Sequence, residues 1–141
     1  NKEAHKILQK QFLDRSIQKT YIALLEKPID KKEGVIDLPL ILDIVNRPMQ
    51  MVNYQHGKPA VSLFKVLEKS QIKTLIELKP VTGRSHQLRV HCAHKLGLHA
   101  PIVGDNLYGG RADRLYLHAQ KIEFTHPFTN EKIKIETESP F

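Results

Sequence analysis

Apolar and polar residues alternate most regularly between residues 71 and 80. The even-numbered positions carry apolar side chains or threonine and the charged residues lie between them, as Ile72, Thr74, Ile76 and Leu78 against Lys73, Glu77 and Lys79. The preceding segment, residues 61–70, is also rich in strand formers and is joined to it by a short polar turn. The pattern predicts an antiparallel hairpin with one solvent-exposed face.

The first half of the chain predicts further extended structure. Residues 19–27 are rich in residues that favour strands, and Pro28 ends pairing because it has no N–H to donate. Residues 32–42 contain Gly34 and Pro39, which favours an edge strand or an extended loop. Residues 43–60 are polar and contain further proline and glycine, and this composition predicts an irregular surface excursion of the kind that often carries recognition.

Helices and a second hairpin complete the predicted fold. Helical spacing of Ala4, Ile7, Leu8 and Phe12 predicts an N-terminal helix. A second helix is predicted from Ser85 to Leu96, closed by Gly97. The glycines of residues 101–110 indicate a loop, and residues 114–124 and 131–139 predict a second hairpin. The fold class is therefore α+β, with a mixed or mostly antiparallel sheet and flanking helices.

Composition adds bounds on organisation and partners. A chain of 141 residues that is 40% hydrophobic buries one ordinary core, so we expect residues 1–141 to form a single domain or part of one. The formal net charge of +7 favours a polyanionic partner, most simply RNA or DNA. Cys92 is the only cysteine, which excludes an internal disulfide and any CxxC motif and favours a reducing, cytoplasmic setting. The sequence contains no apolar run of membrane-spanning length, and residues 1–12 lack the charged-then-apolar layout that is typical of a signal peptide.

The segment VTGRSHQLRVHCAH, residues 81–94, admits three interpretations. A metal site has enough ligands, but only His91 and His94 have the spacing that helical ligands need, and the two arginines would repel a cation. A purely structural helix would bury one apolar stripe and leave the arginines and histidines solvated, the stripe being Leu88, Cys92 and Leu96.

The third interpretation is an anion site at the start of that helix. Thr82 or Ser85 can cap the helix, Gly83 permits a tight turn into it, and Arg84 lies at its N-terminus. Arg89 lies five residues further on, so it is rotated away from Arg84 and serves a different purpose.

Several blocks of the sequence together resemble one family. PVTGRSHQLRVH, with KTYIAL before it and GDNLYGG and RLYLHA after it, is similar to the RluA-type pseudouridine synthases, which convert uridine to pseudouridine in ribosomal and transfer RNA. DLPLI, NRPMQ and GKPA in the middle resemble the branch that gave the family its name. The resemblance covers nearly the whole chain and implies the family's catalytic fold, an RNA substrate and no cofactor.

The resemblance implies roles for residues in the matched blocks. Tyr21, in KTY, matches the tyrosine that stacks on the target base. Arg89, in QLR, matches the basic partner of the catalytic aspartate, where a guanidinium keeps a carboxylate ionised in a dry pocket. Arg84 is assigned to positioning of a substrate phosphate or of the active-site loop. Leu117 matches an aliphatic residue of the base pocket, although Leu115 shares its predicted strand face.

Other substrate-binding residues are expected in two loops. Gly104 and Asp105 match a loop beside the pocket, with a simple Gly-Asp turn as the alternative. Arg47, Gln50 and Lys58 lie in the predicted surface excursion, from which they can reach RNA. The branch resemblance implies a ribosomal RNA stem-loop as substrate, with a tRNA anticodon loop as a second target. No metal and no obligate protein partner are implied, and we expect a monomer.

One departure from the family pattern is central. The family carries its catalytic aspartate on an H-R-L-D block before the KTY strand, and this sequence has no such block. Because Asn1 opens directly within a helical pattern, we expect the chain to be a fragment whose nucleophile lies upstream, and the fragment alone to be inactive. The alternatives are a non-catalytic RNA-binding module and a metal-dependent hydrolase that uses the histidines.

Overall fold

The computed structural model of the protein describes residues 2–4, 6–7 and 17–141. Residues 2–4 and 6–7 are helical, so Ala4 and Ile7 of the predicted N-terminal helix have the expected conformation, whereas Leu8 and Phe12 lie outside the described residues. The elements from residue 17 onward are β1 (Gln18–Leu25), β2 (Glu33–Asp37), β3 (Leu40–Leu42), β4 (Gln50–Val52), β5 (Val61–Lys69), β6 (Thr74–Pro80), α1 (Gln87–Ala93), β7 (Leu117–Thr125) and β8 (Lys132–Glu136).

Six of these strands form one sheet in the order β2-β5-β6-β1-β7-β8, and every neighbouring pair is antiparallel. The predicted hairpins are β5–β6 and β7–β8, and both are confirmed. Residues 33–37 are an edge strand, which was one of the two alternatives for this segment. The α+β class with a mostly antiparallel sheet is therefore correct.

The core lies on one face of this sheet. Ala23 of β1 is paired with Ile76 of β6, and both side chains are fully buried. Leu88 and Cys92 of α1 pack over them, so the short helix covers the centre of the sheet. Burial of the large side chains Ile76 and Leu88 contributes about 1.5–3 kcal/mol each. This packing fixes α1 against the end of β1 that carries Tyr21.

The prediction that residues 43–60 are wholly irregular is wrong. β4 lies in this segment and pairs with β3 in a separate two-stranded sheet, with Leu40 opposite Val52. The turn between the strands is closed by Asp43, whose backbone N–H donates to Met49 O and whose carboxylate accepts two hydrogen bonds from Asn46. Strands of three residues are too short to show alternation, which is why the pattern did not reveal them.

The predicted helix over residues 85–96 is longer than the one observed. α1 ends at Ala93, because His94 adopts an extended conformation and the chain then turns back. Leu98 N and Ala100 N donate to His91 O and Cys92 O, and they satisfy carbonyls that would otherwise be left free at the end of the helix. Leu96 is 58% exposed, so it does not belong to the buried stripe with Leu88 and Cys92.

Across the part of the chain that the structure describes, no helix has the length and apolar character needed to cross a membrane.

Candidate active site

A cleft of about 290 Å³ lies between β1, the end of β6 and the start of α1. Four residues that the sequence assigned to base binding, positioning or catalysis line it together, namely Tyr21, Arg84, Arg89 and Leu117. They come from three separate parts of the chain, and antiparallel pairing of β1 with β7 brings Tyr21 close to Leu117, because Tyr21 pairs with Ala119 and Ala23 with Leu117. The cleft therefore combines an aromatic ring, an aliphatic wall and two guanidinium groups.

Tyr21 and Leu117 form the apolar part of the cleft. Tyr21 is partly buried, and burial raises the pKa of its hydroxyl, so the phenol stays neutral at physiological pH. Leu115 does not line the cleft but packs against the main core. It precedes β7, which begins at Leu117, so the assumption that both leucines lie on one strand is wrong. Of these two leucines, the structure places only Leu117 in the cleft.

Gln87 organises the turn that forms the other wall. Its side-chain oxygen accepts hydrogen bonds from the Thr82 hydroxyl at 2.7 Å and the Arg84 N–H at 3.0 Å. Its amide nitrogen donates to Val61 O at 2.8 Å and to the Ser62 hydroxyl at 2.9 Å. This buried amide thus satisfies all its polar atoms while it holds the turn against β5. Gln87 was not predicted from the sequence, since a lone glutamine in a helical pattern carries no distinctive signal.

The capping prediction for α1 is wrong. The residue before the helix is His86, which has a left-handed backbone with φ of 55° and makes no side-chain capping hydrogen bond. Thr82 instead accepts a hydrogen bond from Val61 N and donates to Gln87, and Gly83 is not in the left-handed region. Arg84 lies outside the helix, is exposed and donates from Nε to Pro59 O at 2.9 Å. The anion site at a helix N-terminus therefore does not form as predicted.

Arg89 is paired with Asp105 inside the chain. Its Nε donates to Oδ2 at 3.0 Å and its Nη2 to Oδ1 at 2.7 Å, a bidentate arrangement. Asp105 is fully buried and also accepts from the N–H groups of Leu107 and Tyr108. The hydrogen bond to Asp105 raises the pKa of Arg89 further above its ordinary value, despite the opposing effect of burial. This pair was not predicted from the sequence, where the partner carboxylate of Arg89 was expected outside the chain.

Gly104 explains how Asp105 reaches Arg89. Its φ is +80°, and a Cβ at this position would lie 1.6 Å from Arg114 O. Both facts require glycine, because a side chain would clash with the backbone and strain the left-handed conformation. Neither Gly104 nor Asp105 lines the cleft. They hold Arg89, which does line it, in position. The segment is thus more than the simple Gly-Asp turn that was its alternative.

Arg47, Gln50 and Lys58 do not line the cleft. They belong to the β3–β4 hairpin and the loop after it, where Arg47 and Lys58 are exposed. Gln50 connects this hairpin to the cleft through its backbone N–H, which donates to the Tyr108 hydroxyl at 2.8 Å. The hairpin therefore borders the site without entering it.

The histidines of the segment have structural partners. His91 is fully buried, with Nδ1 2.9 Å from the Ser62 hydroxyl and Nε2 3.0 Å from Leu38 O. Nδ1 of His94 accepts a hydrogen bond from Leu96 N. Within the described ranges, no three His, Cys, Asp or Glu side chains are grouped as metal ligands would be. His91 is therefore part of the core, with both ring nitrogens in contact with protein groups.

Comparisons with known proteins point to one family. The family described as RNA pseudouridylate synthase matches residues 1–94. The dual-specificity RNA pseudouridine synthase RluA of Yersinia pestis is 42% identical over 99% of this chain and 69% of its own length. The RluA protein of Vibrio parahaemolyticus is 43% identical over 90% of this chain and 54% of its own length.

A solved structure, human RNA pseudouridylate synthase domain containing 1, matches the fold with a TM-score of 0.83 and 31% sequence identity. The match covers 100% of this chain and 62% of the human chain. The present chain thus spans between about half and about two thirds of the length of these relatives.

Proposed function

The chain belongs to the RNA pseudouridylate synthase family, and on this premise we propose that it is part of an enzyme that isomerises uridine to pseudouridine in ribosomal RNA, with transfer RNA as a second substrate class. The observation that carries the proposal is the cleft that unites Tyr21, Leu117 and Arg89. A base that has left its helix needs an aromatic surface to replace the lost stacking, and Tyr21 supplies one beside an apolar wall.

Arg89 is the proposed partner of the catalytic carboxylate. Its Nε and Nη2 are occupied by Asp105, while Nη1 makes no hydrogen bond to a described residue. The Asp105 pair therefore holds the guanidinium in one orientation at the cleft wall and leaves donor capacity for a second carboxylate. In the family that carboxylate is the aspartate of the H-R-L-D block, which we propose lies upstream of Asn1. The reaction breaks the glycosidic bond at N1 and re-forms it at C5 with side chains alone, so no cofactor is needed.

RNA outside the target nucleotide is proposed to bind the β3–β4 hairpin and the loop after it. Arg47 and Lys58 are exposed there, and the Gln50 backbone is tied to the cleft. Arg84 extends the cationic surface to the cleft rim, where it is fixed by its hydrogen bond to Pro59 O. The whole chain has a formal net charge of +7, and the cations of this surface favour the phosphate backbone of a stem-loop. We place the protein in the cytoplasm as a monomer, with residues 1–141 as part of its catalytic domain.

The test is tritium release from RNA labelled with [5-³H]uridine. Two proteins are compared, namely this chain alone and this chain fused to the N-terminal part of the Yersinia pestis relative. We expect release by the fusion and none by the chain alone, and the Arg89→Lys fusion should be much slower because lysine cannot keep the bidentate pair with Asp105. Turnover by the chain alone would contradict the upstream nucleophile. A folded fusion that binds RNA without releasing tritium would favour the RNA-binding module instead.

A further inference from the structure

Tyr108 connects three parts of the site, although neither the sequence blocks nor the proposed chemistry gives it a role. Its hydroxyl oxygen lies 2.8 Å from Gln50 N, which donates to it, and 2.7 Å from Nδ1 of His86. Its ring lies under the Arg89 guanidinium, with the central carbon 5.4 Å from the ring centroid. Its own N–H donates to Asp105. Tyr108 thus joins β4 to both titratable groups at the start of α1.

These contacts support one arrangement of the protons. Burial raises the pKa of Tyr108, so its hydroxyl keeps its hydrogen at neutral pH. Because the oxygen already accepts from Gln50 N, its own hydrogen is free to be donated to His86 Nδ1. Burial, aided by the charge of Arg89, lowers the pKa of His86, which favours the neutral imidazole. When Nδ1 accepts the hydrogen of Tyr108, the single ring hydrogen lies on Nε2.

His86 therefore places a neutral, oriented N–H donor in the wall of the cleft. The two nitrogens of an imidazole point away from each other, and Nε2 has no hydrogen bond to any residue that the structure describes. The other polar side chains of this wall differ from it: Thr82 and Gln87 are bonded to each other, and Arg84 and Arg89 are cations, of which Arg89 is held by Asp105. A neutral donor of fixed direction favours a carbonyl oxygen over an amino group. A mobile cation discriminates less well between these two groups.

We propose that His86, held by Tyr108, is a specificity-determining residue that donates a hydrogen bond to the O4 carbonyl of a bound uracil, the group that cytosine replaces with an amine. The proposal rests on the proposed function, because it requires a flipped base in the cleft. Tyr108 is then a positioning residue, which acts through His86. Tyr108 also links uracil recognition to the β3–β4 hairpin, since its hydroxyl oxygen accepts a hydrogen bond from Gln50 N.

Tyr108→Phe tests the proposal, because it removes the hydroxyl and keeps the ring beside Arg89. Fluorescence anisotropy would measure the affinity of the chain for three stem-loops that differ at one loop position, with uridine, cytidine or an abasic site. We expect Tyr108→Phe to weaken binding of the uridine RNA roughly fivefold and to leave the other two unchanged. Tyr116→Phe is the matched control, since it removes a hydroxyl that donates to the exposed Asp113 at 2.8 Å, and Tyr116 does not line the cleft. It should bind all three RNAs as the parent does.

A second measurement requires no RNA. Nitrogen-15 NMR of the His86 ring should show Nε2 protonated and Nδ1 unprotonated in the parent, and a mixture of the two forms in Tyr108→Phe. Should Tyr108→Phe fail to fold, His86→Asn replaces it, because asparagine tolerates the left-handed backbone but is too short to place the donor. It should lose the preference for uridine over cytidine.

An unchanged ratio of uridine to cytidine affinity in these variants, or an equal loss for all three RNAs, would overturn the proposal. The proposal would also be overturned if His86 of the unsubstituted chain carried its hydrogen on Nδ1. If the fusion enzyme releases tritium while the ratio is unchanged, the role of His86 fails and the proposed function stands. If the parent does not bind the RNAs at all, the proposed function fails as well.

Discussion

Replacing Arg89 by methionine would leave the Asp105 carboxylate buried without its counter-ion. Removal of one partner from a buried ion pair costs about 3–5 kcal/mol, because the remaining charge is desolvated and uncompensated. Two backbone N–H groups still donate to Asp105, and the side chain of Arg89 is 17% exposed, so some water can reach the vacated space. We therefore expect a loss at the lower end, about 3 kcal/mol, with a decrease in Tm of roughly 10 °C.

Asp105→Asn should cost less than Arg89→Met. Asparagine keeps the shape and one oxygen acceptor for the backbone donors, and the guanidinium that loses its partner faces the cleft, where it can be solvated. The double variant should be more stable than the sum of the single losses predicts, with a coupling energy of about 1–2 kcal/mol between the two side chains.

Urea unfolding followed by circular dichroism at pH 7 would give the free energy of unfolding of each variant. Lys134→Met is the matched control, because its ion pair with Glu136 has nearly the same length, 2.8 Å against 2.7 Å, but is exposed on both sides. It should cost less than about 1 kcal/mol. The reasoning is refuted if Arg89→Met costs no more than this control, or if the two single losses simply add.

Three further results are expected. Tyr21→Leu should weaken binding of a uridine stem-loop by about 1–3 kcal/mol in an anisotropy titration, because it removes the stacking surface, whereas Tyr21→Phe should bind as the parent does. Gly104→Ala should destabilise the fold by at least about 2 kcal/mol in urea unfolding, since its Cβ would meet Arg114 O in a left-handed turn. Burial lowers the pKa of His91 below its ordinary 6.5, so the unfolded chain binds a proton that the native one does not. Stability should therefore fall as the pH decreases below 6.5, by up to about 1.4 kcal/mol per unit from this residue, and the slope should be shallower in His91→Gln.

The sequence predicted the elements in which a local period is present. Alternation over residues 71–80 revealed β6 because one face of that strand is buried, and alternation over residues 131–139 revealed β8, in which Ile133 is the least exposed side chain. The three-residue strands β3 and β4 are too short for any period, and the end of α1 is set by tertiary hydrogen bonds from Leu98 and Ala100. The local sequence pattern therefore predicts neither these short strands nor the end of α1.

The site residues also divide into those predicted from the sequence and those revealed only by the fold. Tyr21, Arg84, Arg89 and Leu117 were predicted because they lie in motifs, and one cleft contains them all. The bidentate pair of Arg89 with Asp105 was missed because 16 positions and a left-handed glycine separate the two residues in sequence. Only the fold shows that the loop returns beneath the helix.

Gln87, His86 and Tyr108 were missed for a related reason. Each acts through a hydrogen bond to a residue distant in sequence, such as Val61 for Gln87 and Gln50 for Tyr108. Their residue types are common on surfaces and in cores, so nothing in the sequence distinguishes a side chain that organises a cleft from one that does not. The only signal for them in the sequence is that they lie within the blocks PVTGRSHQLRVH and GDNLYGG.

The central claim is that the cleft beside Tyr21 holds a uracil base taken out of an RNA loop. Fluorine-19 NMR of a stem-loop with a single 5-fluorouridine in its loop tests this most directly, because the label lies on the base itself. On addition of this chain, the fluorine resonance should move to a new position, and Tyr21→Leu should abolish most of that change. The claim would be contradicted if anisotropy shows that the RNA is fully bound while its fluorine resonance stays at the position of the free RNA.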